Sequence, residues 1–133
     1  MSSIDAKFSS EIFRTDRKVV LASNRQLASL LPARLAYDAL GYSAGVVLAR
    51  NSVSGLHQKY DNGGASGLDT AVGILMDGLL VEDFLSASDT QSAKMIVGGE
   101  CLEANLTGLD SAAKTDLGGR SITLADGTVI FKF

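Results

Sequence analysis

Residues 68–106 do most to limit what this chain can become. They hold two apolar, strand-like runs, residues 71–76 and 93–97, joined by a connection with its own apolar patch at Leu79, Leu80 and Val81. Runs of this kind read as strands of a hydrophobic core. Gly73 lies inside the first run and Gly98-Gly99 close the second. Glycines in strands mark bulges or places where another backbone comes close, and that is the expectation here. The stretch carries no catalytic constellation.

On either side the pattern is mostly β. Residues 1–15 are Ser-rich and polar, yet they place Ile4, Phe8, Ile12 and Phe13 at spacings that suit a helix or a strand only imperfectly. Such a segment can order against a partner surface that buries these anchors, or pack as a short amphipathic helix on its own domain. Residues 18–22 are expected as a strand. Ser23 or Asn24 is expected to cap a short helix that runs through Leu31 and stops at Pro32, and residues 34–40 stay ambiguous. Residues 41–45 give a turn, 46–48 a buried strand and 56–60 the next, with 51–55 as the hairpin loop between them.

Near the carboxyl end, Asp110 or Ser111 should cap a helix to Leu117, with Ala112, Ala113 and Leu117 on its inner side and Gly118-Gly119 ending it. Residues 121–133 then read as a hairpin about Asp126-Gly127, pairing Leu124 with Val129 and Ile122 with Phe131. The expected fold is mainly β with one or two short helices.

The 133 residues fit one domain with a core of its own. Cys101 is the only cysteine and His57 the only histidine, so neither an intramolecular disulfide nor a zinc site of four cysteines and histidines can form. Cys101, beside Leu102, is expected as a buried apolar filler. No run reaches the roughly 18 apolar residues of a membrane-spanning helix, since Asp77 interrupts residues 73–81, and the amino terminus has no apolar signal core. The expectation is a chain that stays in the cytoplasm where it is made. A net charge of −3 argues against coating nucleic acid through its phosphates. Residues 1–34 nevertheless carry six basic and three acidic side chains, against six and twelve in the rest. A basic amino-terminal segment on an acidic body reads as an arm that contacts a partner, or as a solvated mixed-charge face.

Three motifs look like chemistry. Gly41-Tyr42-Ser43-Ala44-Gly45 matches the G-x-S-x-G nucleophile elbow, but the β-branched run Val46-Val47 follows where a helix should start. The only histidine comes 14 residues after Ser43 with no acid between them, which denies the serine its usual partners. His57 itself is expected at a surface or interface. The loop DNGGASG at residues 61–67, with Asp69, offers oxygens to calcium but lacks the EF-hand spacing and closing Glu, and no Gly-Lys-Ser/Thr follows to cradle a phosphate. Glu82-Asp83 and Glu100 with Glu103 are carboxylate pairs that nothing places across a cleft, as acid/base work would need. No catalytic residue, cofactor site or metal site is assigned, and the chain is read as a non-enzyme.

Several segments taken together resemble the lambda-type head decoration proteins of tailed bacteriophages. Thr70-Ala71-Val72-Gly73-Ile74-Leu75 looks like the family's (T/A)AVGIL strand after a Gly/Asp-rich loop. Tyr42-Ser43-Ala44-Gly45-Val46-Val47-Leu48 is similar to its turn and G-x-V-L strand, and residues 56–61 to the strand ending in Tyr-Asp. Met95-Ile96-Val97-Gly98-Gly99-Glu100-Cys101 resembles its V-x-x-G-E/T run, and Gly127-Thr128-Val129-Ile130-Phe131 its closing strand. The likeness covers residues 40–133 in the family's order; residues 1–39 carry no matching motif.

The resemblance implies a β-clip-like, trimeric decoration-protein fold, with an amino-terminal arm and lead-in at 1–39 and a β-rich core at 40–133. In such a protein, trimers bind the outer surface of the expanded head at three-fold positions, bridge capsomers and stabilise the shell against packaged DNA. The partners implied are the major capsid protein and further copies of the chain itself, with no nucleic acid, membrane or cofactor, and the location is the outer capsid surface of the virion. By position, Ile4, Phe8, Ile12 and Phe13 become the arm's anchors, and Arg14, Arg17 and Lys18 its steering charges. Other readings are a small trimeric β-clip enzyme of the nucleotide hydrolase kind, and an adaptor module of phage or host.

Overall fold

In a computed structural model of the chain, residues 20–22 and 28–133 are described. Eight strands, one α-helix and two 3-10 turns make up the regular structure of these residues. Strands β1 (Ser29–Ala36), β2 (Val47–Arg50), β3 (His57–Lys59), β4 (Ala71–Leu75) and β5 (Thr90–Gly98) form a small barrel in the order β1-β3-β2-β4-β5. All neighbours are antiparallel except β1 and β3, which close the barrel through one parallel pair, Leu35 with His57. Strands β6 (Glu100–Leu102), β7 (Arg120–Thr123) and β8 (Val129–Lys132) form a second, antiparallel sheet in the order β6-β8-β7. Helix α1 (Ser111–Leu117) lies between β6 and β7 in sequence.

The hydrophobic pattern explains why barrel strands read as unbroken apolar runs rather than alternating ones. Val46, Leu48, Leu75 and Met95 pack with Leu35, Tyr42 and Phe84 in one core cluster. Their neighbours in sequence, Val47, Ile74 and Ile96, belong to a second cluster with Cys101, Ala113 and Phe131, drawn from β6, α1 and β8. Strands β2 and β4, and β5 at Met95-Ile96, are therefore buried on both faces, and a strand covered on both sides has no polar face to display. Among the described residues none of the buried ones is polar or charged.

Both glycine features do what the sequence suggested. The β2–β4 register shifts between Leu48 and Ala49 opposite Gly73, and a Cβ at Gly73 would overlap the Met95 side chain. At the end of β5 the chain turns from the barrel into the second sheet through Gly99, which exchanges two backbone hydrogen bonds with Phe133 at 2.9 and 3.0 Å.

Helix α1 begins where expected, with the Asp110 carboxylate accepting from the Ala113 amide at 2.8 Å, and ends at Gly118 in the left-handed conformation. Residues 51–55 join β2 to β3 as an antiparallel hairpin, and Cys101 is fully buried.

Three expectations change. Residues 29–31 are not helical: they open β1, which carries Pro32 inside a strand. The residues that would have started that helix lie outside the described set. Along most of its length β1 has β5 on one side only, and proline is tolerated on such an edge because no second neighbour needs its missing N–H. Because β1 belongs to the barrel, the core reaches back from residue 40 to Ser29.

The carboxyl-terminal hairpin is shifted by one residue, with Thr123 opposite Val129, Ile122 opposite Ile130 and Ser121 opposite Phe131. Leu124 and Thr128 close a three-residue loop, Ala125-Asp126-Gly127, in which Gly127 has φ 90°. This is the longer hairpin turn with a glycine in the left-handed region, not the two-residue turn that Asp-Gly also suits.

Candidate interaction surface

What precedes the barrel meets the second sheet. Leu21 pairs with Cys101 as an antiparallel bridge, the Ala22 amide donates to the Glu100 carbonyl at 2.9 Å, and the Leu102 amide donates to the Val20 carbonyl at 2.8 Å. Residues 20–22 thus run beside β6 as an isolated antiparallel bridge at its outer edge; the rest of the strand expected at 18–22 lies outside the described residues. Val20 is only 3% exposed and joins the cluster of Cys101 and Phe131. Ile4, Phe8, Ile12, Phe13, Arg14, Arg17 and Lys18 lie outside the described residues.

Past the point where Val20 faces Leu102, the same sheet carries an open cleft of about 400 Å³ lined by Leu102, Glu103, Ala104, Gly127, Thr128 and Val129. It lies between the 3-10 turn Glu103–Asn105 and the tip of the β7–β8 hairpin. The Glu103 carboxylate accepts from the Ser121 hydroxyl and pairs with Lys114 at 3.2 Å, tying the turn to β7 and α1. These contacts, the serine hydrogen bond foremost, hold its carboxyl below the usual range. At the hairpin tip Asp126 accepts from the Thr128 amide at 3.0 Å, which lowers its pKa in the same way.

A second surface faces the loops of the barrel. The Tyr37 ring stacks on Phe84 at 5.6 Å, Tyr42 packs on the same ring, and the Tyr42 hydroxyl donates to the Ala36 carbonyl at 2.7 Å. Lys59 lies over the Tyr42 ring and pairs with Asp38 at 3.2 Å. Burial, then the Asp38 charge, pushes the Tyr42 pKa up, so this phenol remains a neutral donor. The loops so pinned present Leu40 and Leu85, 89% and 91% exposed, and the β2–β3 loop presents Val53 at 85%. The sequence reading passed over all three. Their one signal was a large aliphatic residue set among turn-forming and small polar neighbours, as in Asp38-Ala39-Leu40-Gly41 and Leu85-Ser86-Ala87-Ser88.

The chemistry-like motifs resolve into structure. Ser43 sits exposed in a turn that leads into β2. His57 is half-buried between Leu35 and Arg50, its neighbours across β1 and β2, with Nδ1 shielded from solvent and lacking a hydrogen-bond partner. Asp83 accepts from the Leu80 amide at 2.8 Å, and Asp61 accepts from the Gly63 amide at 3.1 Å inside the glycine-rich loop. Among the described residues no three His, Cys, Asp or Glu side chains converge as metal ligands, and no helix is long and apolar enough to cross a membrane.

Comparison with protein-family models, with curated proteins and with solved structures gave no match.

Proposed function

We propose that this chain is a head decoration protein of a tailed bacteriophage, a non-enzymatic structural protein without a cofactor. Trimers of a β-clip-like domain bind the outer surface of the expanded head at three-fold positions, bridge capsomers and hold the shell against the pressure of packaged DNA. The carrying observation is the course of the chain. Residues 20–22, which follow the basic amino-terminal segment in sequence, bridge to the outer edge of the second sheet, so that segment is tied to the domain beside β6.

Two further features support the reading. The segments that resemble the decoration family coincide with successive structural units: a turn and β2, then β4, the β5–β6 corner and β8. Leu40, Val53 and Leu85 supply exposed apolar side chains for contacts with other copies or with the shell.

In this reading Ile4, Phe8, Ile12 and Phe13 are buried against the major capsid protein by strand addition, in which backbone bonds give affinity and alternate side chains give specificity. Arg14, Arg17 and Lys18 steer the arm toward an acidic shell. Three arms on one trimer make individually weak contacts cooperative through effective concentration.

The test is to mix the full chain, and a chain lacking residues 2–18, with expanded undecorated heads. Electron microscopy should show three-fold protrusions with the full chain and few or none with the truncated one. Full binding by a truncation that is still trimeric by light scattering would sink the role given to the arm, and bare heads with the full chain would sink the function itself.

A further inference from the structure

The cleft beside the β7–β8 hairpin has a geometry that points back along the chain. Residues 20–22 run antiparallel to β6, with Ala22 beside Glu100 and Val20 beside Leu102. From Ala22 to Val20 the backbone therefore points toward the end of the sheet that carries residues 103 and 104, where the cleft opens. The cleft's far wall is β8 and the hairpin tip, two strand positions from residues 20–22, or roughly 10 Å at the usual spacing. Phe13 is seven residues before Val20 and can lie up to about 24 Å from it, so the span is covered with slack. Charges match as well. Residues 13–19 carry Arg14, Arg17 and Lys18 against Asp16, while Glu103 in the cleft and Asp126 at its rim are carboxylates, charged at neutral pH.

We infer that the cleft lined by Leu102, Glu103, Ala104, Gly127, Thr128 and Val129 is a docking site for the chain's own amino-terminal segment, with Phe13 as the inserted anchor and Arg14, Arg17 and Lys18 set against Glu103 and Asp126. The occupant is this segment because Val20, to which it is joined, lies beside Leu102 at the cleft. Tethering over seven residues supplies an effective concentration in the millimolar range, enough to fill a site of modest affinity. A cleft of about 400 Å³ takes one aromatic ring with its neighbouring atoms. The inference rests on the course of the chain and does not depend on the capsid reading. If both hold, the arm's anchors are covered in free protein and exchange partners on the shell.

Paramagnetic broadening on the full chain tests it. A nitroxide on Thr15→Cys leaves Phe13 in place, and Cys101, fully buried with a thiol that burial pushes up to about 11, should escape labelling. In 15N-enriched protein the amides of Glu103, Ala104, Gly127 and Thr128 should lose intensity several-fold more than the domain average. Adding Phe13→Ala should abolish that selectivity while leaving the rest of the amide spectrum folded. Uniform broadening, or selectivity that survives Phe13→Ala, overturns the inference. So does equal selective broadening when labelled unenriched chains are mixed with unlabelled enriched ones, since the occupant would then be a second copy.

Discussion

Gly45 shows how much one position can hold. Its amide donates to the Leu75 carbonyl at 2.8 Å and its carbonyl accepts from the Thr107 amide at 3.0 Å, so one residue ties the end of β4 to the segment after β6. It sits at φ 89°, and a Cβ there would overlap the Asn105 carbonyl oxygen. Gly108 has a similar φ of 83° with nothing within 4 Å of where a Cβ would stand. The pair separates backbone strain from crowding. Gly108→Ala should cost about 1 kcal/mol, the low end for a left-handed non-glycine residue, and Gly45→Ala roughly 1–3 kcal/mol more through overpacking. Equal urea midpoints for the two variants would contradict the crowding described.

His57 carries the pH dependence at the same scale. Burial foremost, with the Arg50 charge adding to it, lowers its pKa below the ordinary 6.5, and the nearby Arg34 backbone only partly offsets this. As pH falls through about 6.5 the unfolded chain takes the proton first, so stability drops until the folded pKa is passed. Urea midpoints should therefore fall between pH 7.5 and 5.5, and His57→Gln should flatten that slope. The depressed carboxylates, Asp89, Glu103 and Asp126, contribute stability that is lost only at lower pH, below roughly 4.5. This keeps the two windows apart.

At the scale of elements, what was legible in the sequence depended on whether local chemistry alone determined the outcome. Helix α1 was legible because Asp110 and Gly118 act on their own turns. Replacing Asp110 by Ala should cost about 1–2 kcal/mol. The loss includes the hydrogen bond that Tyr60 donates to it at 3.0 Å, so Asp110→Asn should recover most of the stability in thermal melts. The β7–β8 hairpin was legible as a hairpin but not in register. Asp-Gly serves both two-residue and three-residue turns, and the choice is made by burying Phe131, stacked on Phe133 at 5.1 Å, against the rest of the core. Strand β1 was illegible because Pro32 reads as a helix stop until it is known that one side of the strand has no neighbour there. As for the candidate surface, the arm residues were chosen from composition and a likeness of position. The cleft joins β6 to a hairpin more than twenty residues away in sequence, so no local pattern announces it.

For the molecule as a whole, two cores share the wall formed by β2, β4 and β5, and the folded domain extends back before residue 40. Both β1 and residues 20–22 belong to it. Removing residues 2–22 should therefore destabilise the domain by about 2 kcal/mol more than removing 2–18, chiefly through the lost burial of Val20. A calorimetric melt of the two truncations checks this; equal melting temperatures would mean that residues 20–22 are only laid on the surface.

That added segment also decides how the domain would answer a mechanical load. A pull on the segment upstream of Val20, directed along the sheet, would draw residues 20–22 lengthwise past β6. The hydrogen bonds to Glu100 and Leu102 and the buried Val20 side chain would then be strained together in shear, whereas a pull away from the edge would peel them one at a time. A domain tethered through this segment is stiffest along the direction of its strands and weakest across them.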